Sequence, residues 1–509
     1  MIAPYLEALK DLGPRPLAGI AIATLFLYRL YSQVLYPFLF SPVRHIPGPY
    51  FSRISKLPLQ WAIFKKRRAM YASNLLDTYG PVVVIAPDQV HTNDDAAMKT
   101  IYDKSSLKTS FYANMGSWKG ITSTLGFRDY RSAAPSRNNL IQCFQNRNLS
   151  VLVENIESHI NEFITLISKG AATGTPVDGV VVFRYLALDI VTDVLWGETD
   201  TLLASKSRDD SSDPIFLRRF HAFSNWNALK SFMPAADLLV RLFGTKQWKQ
   251  LRQDCGDMDV TSKDALKRWE ENKEKQNRDK DVLSMLQSMN SAAAPAVSPN
   301  DIPAYMVEML AAGSSTTSHT AAFACYLLAR NLDAQACLRK ELFEQYPDPE
   351  VIEVTEMMAL PFLDGVIRET MRLYPMIPGP LERHLGKEIV VDGKVIPAGV
   401  IASTAAIDQG RLEEVFPDNE KWKPERWIDA TDRMKLNWTP FGHGCRACPG
   451  SNLALTELKY MIGKIFRLYK SVVPKGHDED DLQLADIFAA GSRSGHVWLQ
   501  FEDSRAKVI

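Results

Sequence analysis

Two stretches of this chain are apolar over most of their length, and the first lies near the N-terminus. Residues 17–40 contain one charged residue, Arg29, and about 20 apolar residues suffice for a helix to cross a bilayer. A cleaved signal peptide is one alternative, but no convincing small-residue cleavage site follows the apolar core. A surface helix is another, because Ser32 and Gln33 lie near Arg29 in the middle of the segment. Length and the tyrosines of the segment favour an uncleaved membrane anchor.

The second apolar stretch runs from Asn300 to about Asn331 and is apolar on nearly every face. This pattern predicts a helix buried through the middle of a large protein. Glycine and clustered hydroxyls interrupt it at Ala312–Thr317. Serine and threonine side chains bond back to a carbonyl one turn earlier and bend helices. We therefore expect a local opening of the helix at this point.

Shorter patterns predict further elements. Apolar residues at helical spacing predict amphipathic helices over residues 151–168 and 185–196, and the run Pro81–Ala86 predicts a buried strand. The alternating residues 388–401 predict a strand–turn–strand unit. Residues 111–127 are rich in glycine and aromatics without a clear period, which indicates a functional loop rather than a regular element.

Composition excludes several classes of protein. At 509 residues, 46% of them hydrophobic, the chain has ample sequence for a large core. Basic and acidic residues number 59 each, so the net charge is zero and no nucleic-acid partner is expected. The six cysteines are unevenly spaced and do not suggest a disulfide framework. A reducing compartment is therefore expected for the main body.

Candidate chemistry is concentrated in the segment Phe441–Gly450, which has the sequence FGHGCRACPG. A thiol in a glycine-rich loop at the start of a helix lies where backbone N–H groups and the helix dipole favour an anion. We therefore expect Cys448 to have a lowered pKa and to serve as a thiolate ligand or nucleophile.

Four interpretations of this cysteine compete: half of a zinc site with Cys445, a thioredoxin-like redox pair, covalent haem attachment, and a structural cysteine. A zinc site would need a second C-x-x-C pair, which the other cysteines do not supply. A redox pair would need a βαβ pattern, and covalent haem attachment would need histidine where Pro449 stands. The first three interpretations are weakened, and spacing alone leaves the fourth open.

The whole segment follows the pattern F-x-x-G-x-R-x-C-x-G, carried by Phe441, Gly444, Arg446, Cys448 and Gly450. It resembles the haem-binding loop of the cytochrome P-450 family of haem-thiolate monooxygenases. The resemblance implies a mainly α fold with a small β region, and haem b as the cofactor. It also implies that Cys448 is the axial thiolate ligand of the iron and that Arg446 binds a haem propionate. Phe441 and Gly450 belong to the same cofactor-binding loop.

Two more arginines stand where the family binds haem propionates. Arg137 lies seven positions before Phe144, which is the spacing that family members show for such a basic residue. Ala133 replaces the tryptophan usual four residues earlier, so a solvated arginine is the alternative for Arg137. Arg383 follows the E-x-x-R segment at the position of a further propionate-binding arginine.

The segment Glu369-Thr-Met-Arg372 places a carboxylate and a guanidinium on one face of a predicted helix. A surface ion pair is the simplest interpretation. In the family, E-x-x-R followed by an arginine such as Arg426, here in Pro-Glu-Arg-Trp, forms a buried network. The resemblance therefore implies that these three residues hold the cysteine loop in place.

The hydroxyl-rich part of the long helix matches the family pattern A/G-G-x-acid-T-T at Gly313 and Thr316, but Ser315 replaces the acid. The resemblance implies that Gly313, Ser315 and Thr316 are catalytic. Cleavage of the O–O bond needs two protons, which the acid normally helps to deliver. Here delivery must use Thr316, water or another carboxylate. A non-monooxygenase function, isomerase or dehydratase, remains the alternative.

Substrate contacts are expected from less patterned segments. In the family, the region corresponding to residues 111–127 lies over the haem, which makes Phe111 and Trp118 candidate contacts. The segment Ile487–Ala489 is another candidate. The implied reaction is hydroxylation or epoxidation of a small apolar substrate with O2. Electrons are expected from NADPH through a membrane-bound reductase, with cytochrome b5 as a further donor.

The resemblance also predicts how the chain is organised. Residues 1–16 are expected to be lumenal, 17–40 to span the membrane, 41–50 to form a proline-rich hinge, and 51–509 to form the catalytic domain. The basic cluster Lys65–Arg68 follows the anchor and places the body in the cytosol. The chain is similar to eukaryotic microsomal members of the endoplasmic reticulum. We expect it to be closest to fungal members of the benzoate-hydroxylase and pisatin-demethylase type, which act in secondary metabolism.

Overall fold

The computed structural model describes residues 13–118, 120–197, 202–203, 215–233, 235–276, 281–289, 301–476, 482–486 and 488–505. Within these ranges the chain is mainly α-helical with short strands. The predicted fold class is therefore confirmed.

The helices account for most of the described chain. In order they are α1 (Pro14–Leu30), α2 (Tyr50–Ile54), α3 (Leu57–Phe64), α4 (Arg68–Tyr79), α5 (Asp95–Ile101), α6 (Ser110–Met115), α7 (Tyr130–Cys143), α8 (Asn146–Thr173), α9 (Gly179–Trp196), α10 (Ile215–Phe232), α11 (Ala236–Phe243), α12 (Lys246–Gln276), α13 (Val282–Ser288), α14 (Ile302–Arg330), α15 (Leu332–Gln345), α16 (Pro361–Leu373), α17 (Ala406–Gln409), α18 (Asp432–Asn437) and α19 (Ser451–Leu468). Short 3₁₀ helices cover Val354–Ala359, Pro424–Trp427 and Gly444–Arg446.

The strands are short and form small sheets. They are β1 (Val82–Ala86), β2 (Gln89–Thr92), β3 (Leu107–Lys108), β4 (Ser117–Trp118), β5 (Ile121–Thr122), β6 (Val177–Asp178), β7 (Arg383–His384), β8 (Ile389–Val391), β9 (Lys394–Ile396), β10 (Ile401–Ser403), β11 (Tyr469–Val472), β12 (Leu484–Asp486), β13 (Ala490–Ser492) and β14 (Trp498–Asp503). The largest sheet has the order β1-β2-β10-β7-β3, with β2 and β10 parallel. A second sheet has the order β11-β14-β6, and β4-β5, β8-β9 and β12-β13 are two-stranded.

The N-terminal apolar segment forms a single helix, Arg15–Phe40, that is long and apolar enough to cross a membrane by length and composition. Its last ten residues, Tyr31–Phe40, are π-helical and contain Pro37. Proline lacks the N–H of an ordinary helical hydrogen bond and clashes with the preceding turn, which accounts for the change in geometry. The following residues dock onto the body, since Val43 and Ile46 are buried and the Pro47 carbonyl accepts from the Val84 N–H at 2.8 Å.

The long apolar helix α14 runs through the middle of the protein, as predicted. It is buried along most of its length and packs against α9, α12, α16 and α19. The expected local opening is wrong, because α14 is α-helical from end to end. The predicted back-bonding does occur: the Thr316 hydroxyl donates to the Ala312 carbonyl at 2.7 Å, and the Thr320 hydroxyl donates to the Thr316 carbonyl at 2.8 Å.

Two local predictions need correction and two are confirmed. Residues 185–196 lie in α9, which is buried on nearly every face between α8 and α14 rather than amphipathic. Residues 111–127 are not a simple loop, because they include most of α6 and the β4-β5 hairpin. The strand at Val82–Ala86 is fully buried as predicted, and residues 388–401 form the predicted β8-β9 hairpin followed by the start of β10.

Candidate active site

The cysteine segment forms a tight loop between α18 and α19. Its backbone turns at Gly442 and Gly444, where φ is +74° and +59°, and this left-handed region favours glycine. The Cys448 N–H donates to the Phe441 carbonyl at 2.7 Å and closes the loop. Gly450 has a negative φ of −89° and stands at the N-cap of α19, so the thiol lies at the start of a helix as predicted.

The Cys448 thiol is accessible, yet it is surrounded by protein. Burial is the main cause that raises its pKa, opposed by the Gly450 N–H and by the charge of Arg137. The prediction of a lowered pKa is therefore wrong for the thiol alone, because desolvation outweighs the helix terminus. Cys448 is nevertheless an exposed residue, so a ligand can reach the thiol. Metal coordination would deprotonate it there.

Near Arg446 of the cysteine loop, two basic side chains face each other across a sheet. Lys108 of β3 and Arg383 of β7 are directly opposite in an antiparallel pair, and they are only 7% and 4% exposed. Like charges directly opposite destabilise a sheet, and burial increases the cost. Burial, followed by the charges of Arg383 and Arg446, lowers the pKa of Lys108 to about 7. Glu308 offsets part of this repulsion, and a further anion bound here would stabilise the arrangement.

Two further arginines complete this group, which we call the cation cluster: Lys108, Arg137, Arg383 and Arg446. Arg446 donates to the Ser106 carbonyl at 3.2 Å and lies over the Tyr130 ring at 5.5 Å. Arg137 donates to the Ala447 carbonyl, next to the ligand cysteine predicted above. The Nε atoms of Arg383 and Arg446 are buried without a hydrogen-bond partner in the described structure.

Haem fits this arrangement, because it carries two carboxylates and an iron that takes a thiolate. The cation cluster would hold the carboxylates, and Cys448 lies within one residue of the Arg137 contact. The structure thus brings together the three predicted arginines. It adds Lys108, which the sequence analysis missed; a lone lysine in a two-residue strand gives no pattern that would single it out.

Behind the loop, Glu369 is the centre of a buried network. Its carboxylate accepts from Arg372 Nε at 2.8 Å and Nη2 at 2.7 Å, and from Arg426 Nε at 3.0 Å. The Lys423 N–H and the Trp427 indole also donate to it, at 3.0 and 2.9 Å. The side chains of Glu369 and Arg372 are fully buried. The alternative of a solvated surface pair is therefore wrong.

A chain of aromatic rings connects this network to the cysteine loop. The Trp427 and Trp438 rings meet edge to face at 6.1 Å, and the Trp438 and Phe441 rings do so at 5.8 Å. The Trp438 indole N–H donates to the Arg368 carbonyl at 3.0 Å, which fixes Trp438 to α16. Phe441 therefore anchors the loop to the Glu369 network. Trp438 was not singled out from the sequence.

The predicted catalytic residues occupy one turn of α14. Gly313 is required by packing, since a Cβ there would lie 2.9 Å from Val191 Cγ2 of α9. Ser315 is half-buried, and its carbonyl accepts from His319 Nδ1 at 2.8 Å. The Thr316 hydroxyl is engaged with the Ala312 carbonyl. None of these described contacts joins the turn to the cysteine loop.

Two of the aromatic residues in the candidate substrate-contact segments lie next to each other. The Phe111 ring lies 5.5 Å from the Phe488 ring, so α6 contacts the C-terminal segment. A role of either residue in substrate binding stays a prediction. The side chain of Trp118 and all of Ile487 lie outside the described residues.

The thiol, the cation cluster and the buried helix together fit a haem-thiolate protein. The family model for Cytochrome P450 matches residues 52–494. The chain belongs to the cytochrome P450 family.

Curated relatives support the same placement at low identity. The chain is 25% identical to cytochrome P450 monooxygenase orf2 of Aspergillus niger, over 90% of this chain and 91% of the relative. It is 28% identical to cytochrome P450 monooxygenase tpcC of Cochliobolus heterostrophus, over 94% of this chain and 93% of the relative. It is 25% identical to cytochrome P450 monooxygenase ABA2 of Pyricularia oryzae, over 88% of both.

Membership establishes the general activity. The chain is a monooxygenase that uses haem with a cysteine thiolate ligand, receives electrons from a reductase and acts on an apolar substrate. The relatives named here are fungal, as expected. The narrower likeness to benzoate hydroxylases and pisatin demethylases stays a prediction.

Proposed function

We propose that Cys448 is the axial haem ligand and that the chain inserts oxygen into a small apolar molecule of fungal secondary metabolism. The observation that carries the ligand assignment is the exposed Cys448 beside a cluster of four basic side chains, of which Lys108 and Arg383 are buried. The relatives, all named monooxygenases from fungi, support the general setting.

Each part of the site has a role in this proposal. Haem, when bound, supplies the activation of dioxygen through its thiolate-ligated iron. Lys108, Arg137, Arg383 and Arg446 hold its carboxylates by charge-assisted hydrogen bonds. Phe441, Gly444 and Gly450 set the shape of the loop that presents the thiol. Two carboxylates bound by the cation cluster would offset the repulsion among its members, which would favour haem binding.

The supply of protons for cleavage of the O–O bond is unusual, because Ser315 replaces the acid of the family pattern. The Thr316 hydroxyl donates to the Ala312 carbonyl, so it must turn away from that carbonyl before it can donate into the pocket. Ser315 has no acidic proton to replace the one that Thr316 gives up. We propose that Thr316, with Ser315 and Gly313 in the same turn, orients water that carries the protons.

The organisation predicted from the sequence completes the proposal. Residues 1–16 are lumenal, 17–40 anchor the chain in the endoplasmic reticulum membrane, 41–50 form the hinge, and 51–509 form the cytosolic catalytic domain. One apolar helix near the N-terminus supports the anchor. An NADPH-dependent reductase in the same membrane supplies the electrons, with cytochrome b5 as a second donor.

The test has two parts. Purified protein, reduced and treated with carbon monoxide, should show the thiolate-type absorption band; Cys448→Ala should abolish it. Cys445→Ala is the matched control, because the Cys445 thiol donates only to the Tyr102 carbonyl, at 3.2 Å, among the described contacts. Loss of the band in Cys445→Ala but not in Cys448→Ala would refute the ligand assignment.

The second part measures product formation from fungal metabolites with NADPH, a reductase and ¹⁸O2. One labelled oxygen in the product, absent when NADPH or oxygen is withheld, is the expected result. Turnover that needs neither would indicate an isomerase or dehydratase and would refute the proposed reaction.

A further inference from the structure

We propose that Glu308 is a positioning residue that, together with Lys108, fixes the segment Ser123–Phe127 as a wall of the pocket. The proposal rests on the proposed haem site, because Lys108 also belongs to the cation cluster. Neither residue follows from the family motifs, and the reaction described above does not use Glu308.

The contacts converge on one residue of the chain. Glu308 Oε1 accepts from the Leu125 N–H at 2.7 Å, and Oε2 accepts from the Thr124 N–H at 3.1 Å. Lys108 Nζ donates to the Leu125 carbonyl at 2.7 Å. The N–H and the carbonyl of Leu125 are therefore held by opposite charges from two distant parts of the chain. When Glu308 and Lys108 are ionised, both bonds are charge-assisted and stronger than neutral ones.

The two anchors belong to the two sides of the proposed haem site. Glu308 lies on α14, eight residues before Thr316, which is about 12 Å along a helix that rises 1.5 Å per residue. Lys108 is in β3, opposite Arg383 of the cation cluster. The segment between them is thus tied to the helix that carries the oxygen-side residues and to the group that binds the haem carboxylates.

Burying the Glu308 carboxylate at this position costs free energy. Burial is the main cause that raises the pKa of Glu308, while the Leu125 N–H, the Ser123 side chain and the charge of Lys108 lower it. A buried acid is costly unless its hydrogen bonds are completed. These bonds include two to main-chain N–H groups, so the segment is positioned independently of most of its side chains.

The first measurement is amide hydrogen exchange in the haem-loaded full chain. Glu308→Gln keeps the shape of the side chain but removes one acceptor and the charge, so exchange in peptides covering residues 121–128 should rise about tenfold. Glu341→Gln is the matched control. Glu341 accepts from the Phe362 and Leu363 N–H groups at 2.7 and 2.9 Å, so its variant should raise exchange at the start of α16 and leave residues 121–128 unchanged.

The second measurement separates a wall from a purely structural contact. Imidazole is a small ligand of haem iron, whereas 4-phenylimidazole carries a phenyl group that would extend from the iron toward the proposed wall. Glu308→Gln should weaken 4-phenylimidazole binding at least threefold, measured by the shift of the haem absorption band, with imidazole binding unchanged. Lys108→Met should also raise exchange in residues 121–128, and it provides the test if Glu308→Gln does not fold.

The outcomes are distinct. Unchanged exchange at residues 121–128 in both variants would overturn the positioning role and leave the proposed haem site intact. Raised exchange with unchanged binding of both imidazoles would also overturn it, because the segment would then not border the pocket. Failure of the proposed function would appear instead as loss of the thiolate-type carbon monoxide band in the unsubstituted protein.

Discussion

Replacing Glu369 by alanine tests whether the buried network supports the cysteine loop. The change removes a carboxylate that accepts five hydrogen bonds and leaves the guanidinium of Arg372 fully buried without its counter-charge. Arg372 keeps its bonds to the carbonyls of Gly410 and Asn419, at 2.7 and 2.6 Å, but these do not neutralise it.

The expected cost follows from this geometry. Removing one partner of a buried ion pair costs about 3–5 kcal/mol, which is a large share of the roughly 5–15 kcal/mol that stabilises a folded domain. The Trp427 indole also loses its acceptor, and Trp427 contacts Trp438, which contacts Phe441. The cysteine loop should therefore loosen before the rest of the chain unfolds.

Urea unfolding, followed by tryptophan fluorescence and by the thiolate-type carbon monoxide band, measures both effects. In Glu369→Ala the band should disappear at lower urea than the fluorescence change, and the fluorescence midpoint should fall. Arg433→Ala is the control, because Arg433 pairs with Asp95 and Glu414 at 3.2 and 3.4 Å while half-exposed. Such pairs contribute about 0–1 kcal/mol. Equal midpoints for the two variants, with coincident loss of band and fluorescence, would refute the reasoning.

Three further predictions concern buried groups. In the haem-free protein, the pKa of Lys108 is lowered to about 7. The unfolded chain therefore binds more protons than the folded chain above that pH, and the free energy of unfolding should rise from about pH 7 to 10. Thermal unfolding of Lys108→Met should show a flatter rise. Burial raises the pKa of Glu457 to about 8, so its effect on the pH dependence of stability is the opposite of that of Lys108. The folded chain binds the extra proton, and the free energy of unfolding should therefore fall from about pH 4.5 to 8. Glu457→Gln should remove that fall, and an unchanged pH profile would show that Glu457 is ionised in the fold. Gly313→Ala should cost about 1–3 kcal/mol by overpacking against Val191, and Val191→Ala in the same chain should recover part of the loss; a fully additive double variant would contradict the contact.

Several features could be predicted because they depend on residues close together in the chain. The loop Phe441–Gly450 needs glycine where φ is positive, and that requirement is visible in the sequence. The burial of α14 follows from apolar residues on nearly all its faces. The E-x-x-R pair lies within one helix turn, so its contact follows from helix geometry.

Other expectations failed where neighbours distant in sequence decide the outcome. Residues 185–196 are buried on nearly every face because α8 and α14 pack on both sides of α9. The Cys448 pKa is raised because the surrounding protein desolvates the thiol more than the helix start favours the thiolate. Gly313 was predicted to be catalytic, and the structure adds a packing reason for glycine that depends on Val191.

The sequence by itself determined the chemistry that can occur: a thiol in a glycine-rich loop, arginines at family positions, and a buried helix with hydroxyls in place of an acid. Only the tertiary structure decided which groups meet. Lys108 reaches Arg383 through the pairing of β3 with β7, Glu308 reaches Leu125 across the fold, and Trp438 links the Glu369 network to Phe441. These contacts join segments that are far apart in the chain. Local sequence patterns predict the type of an element but not which distant segment packs against it.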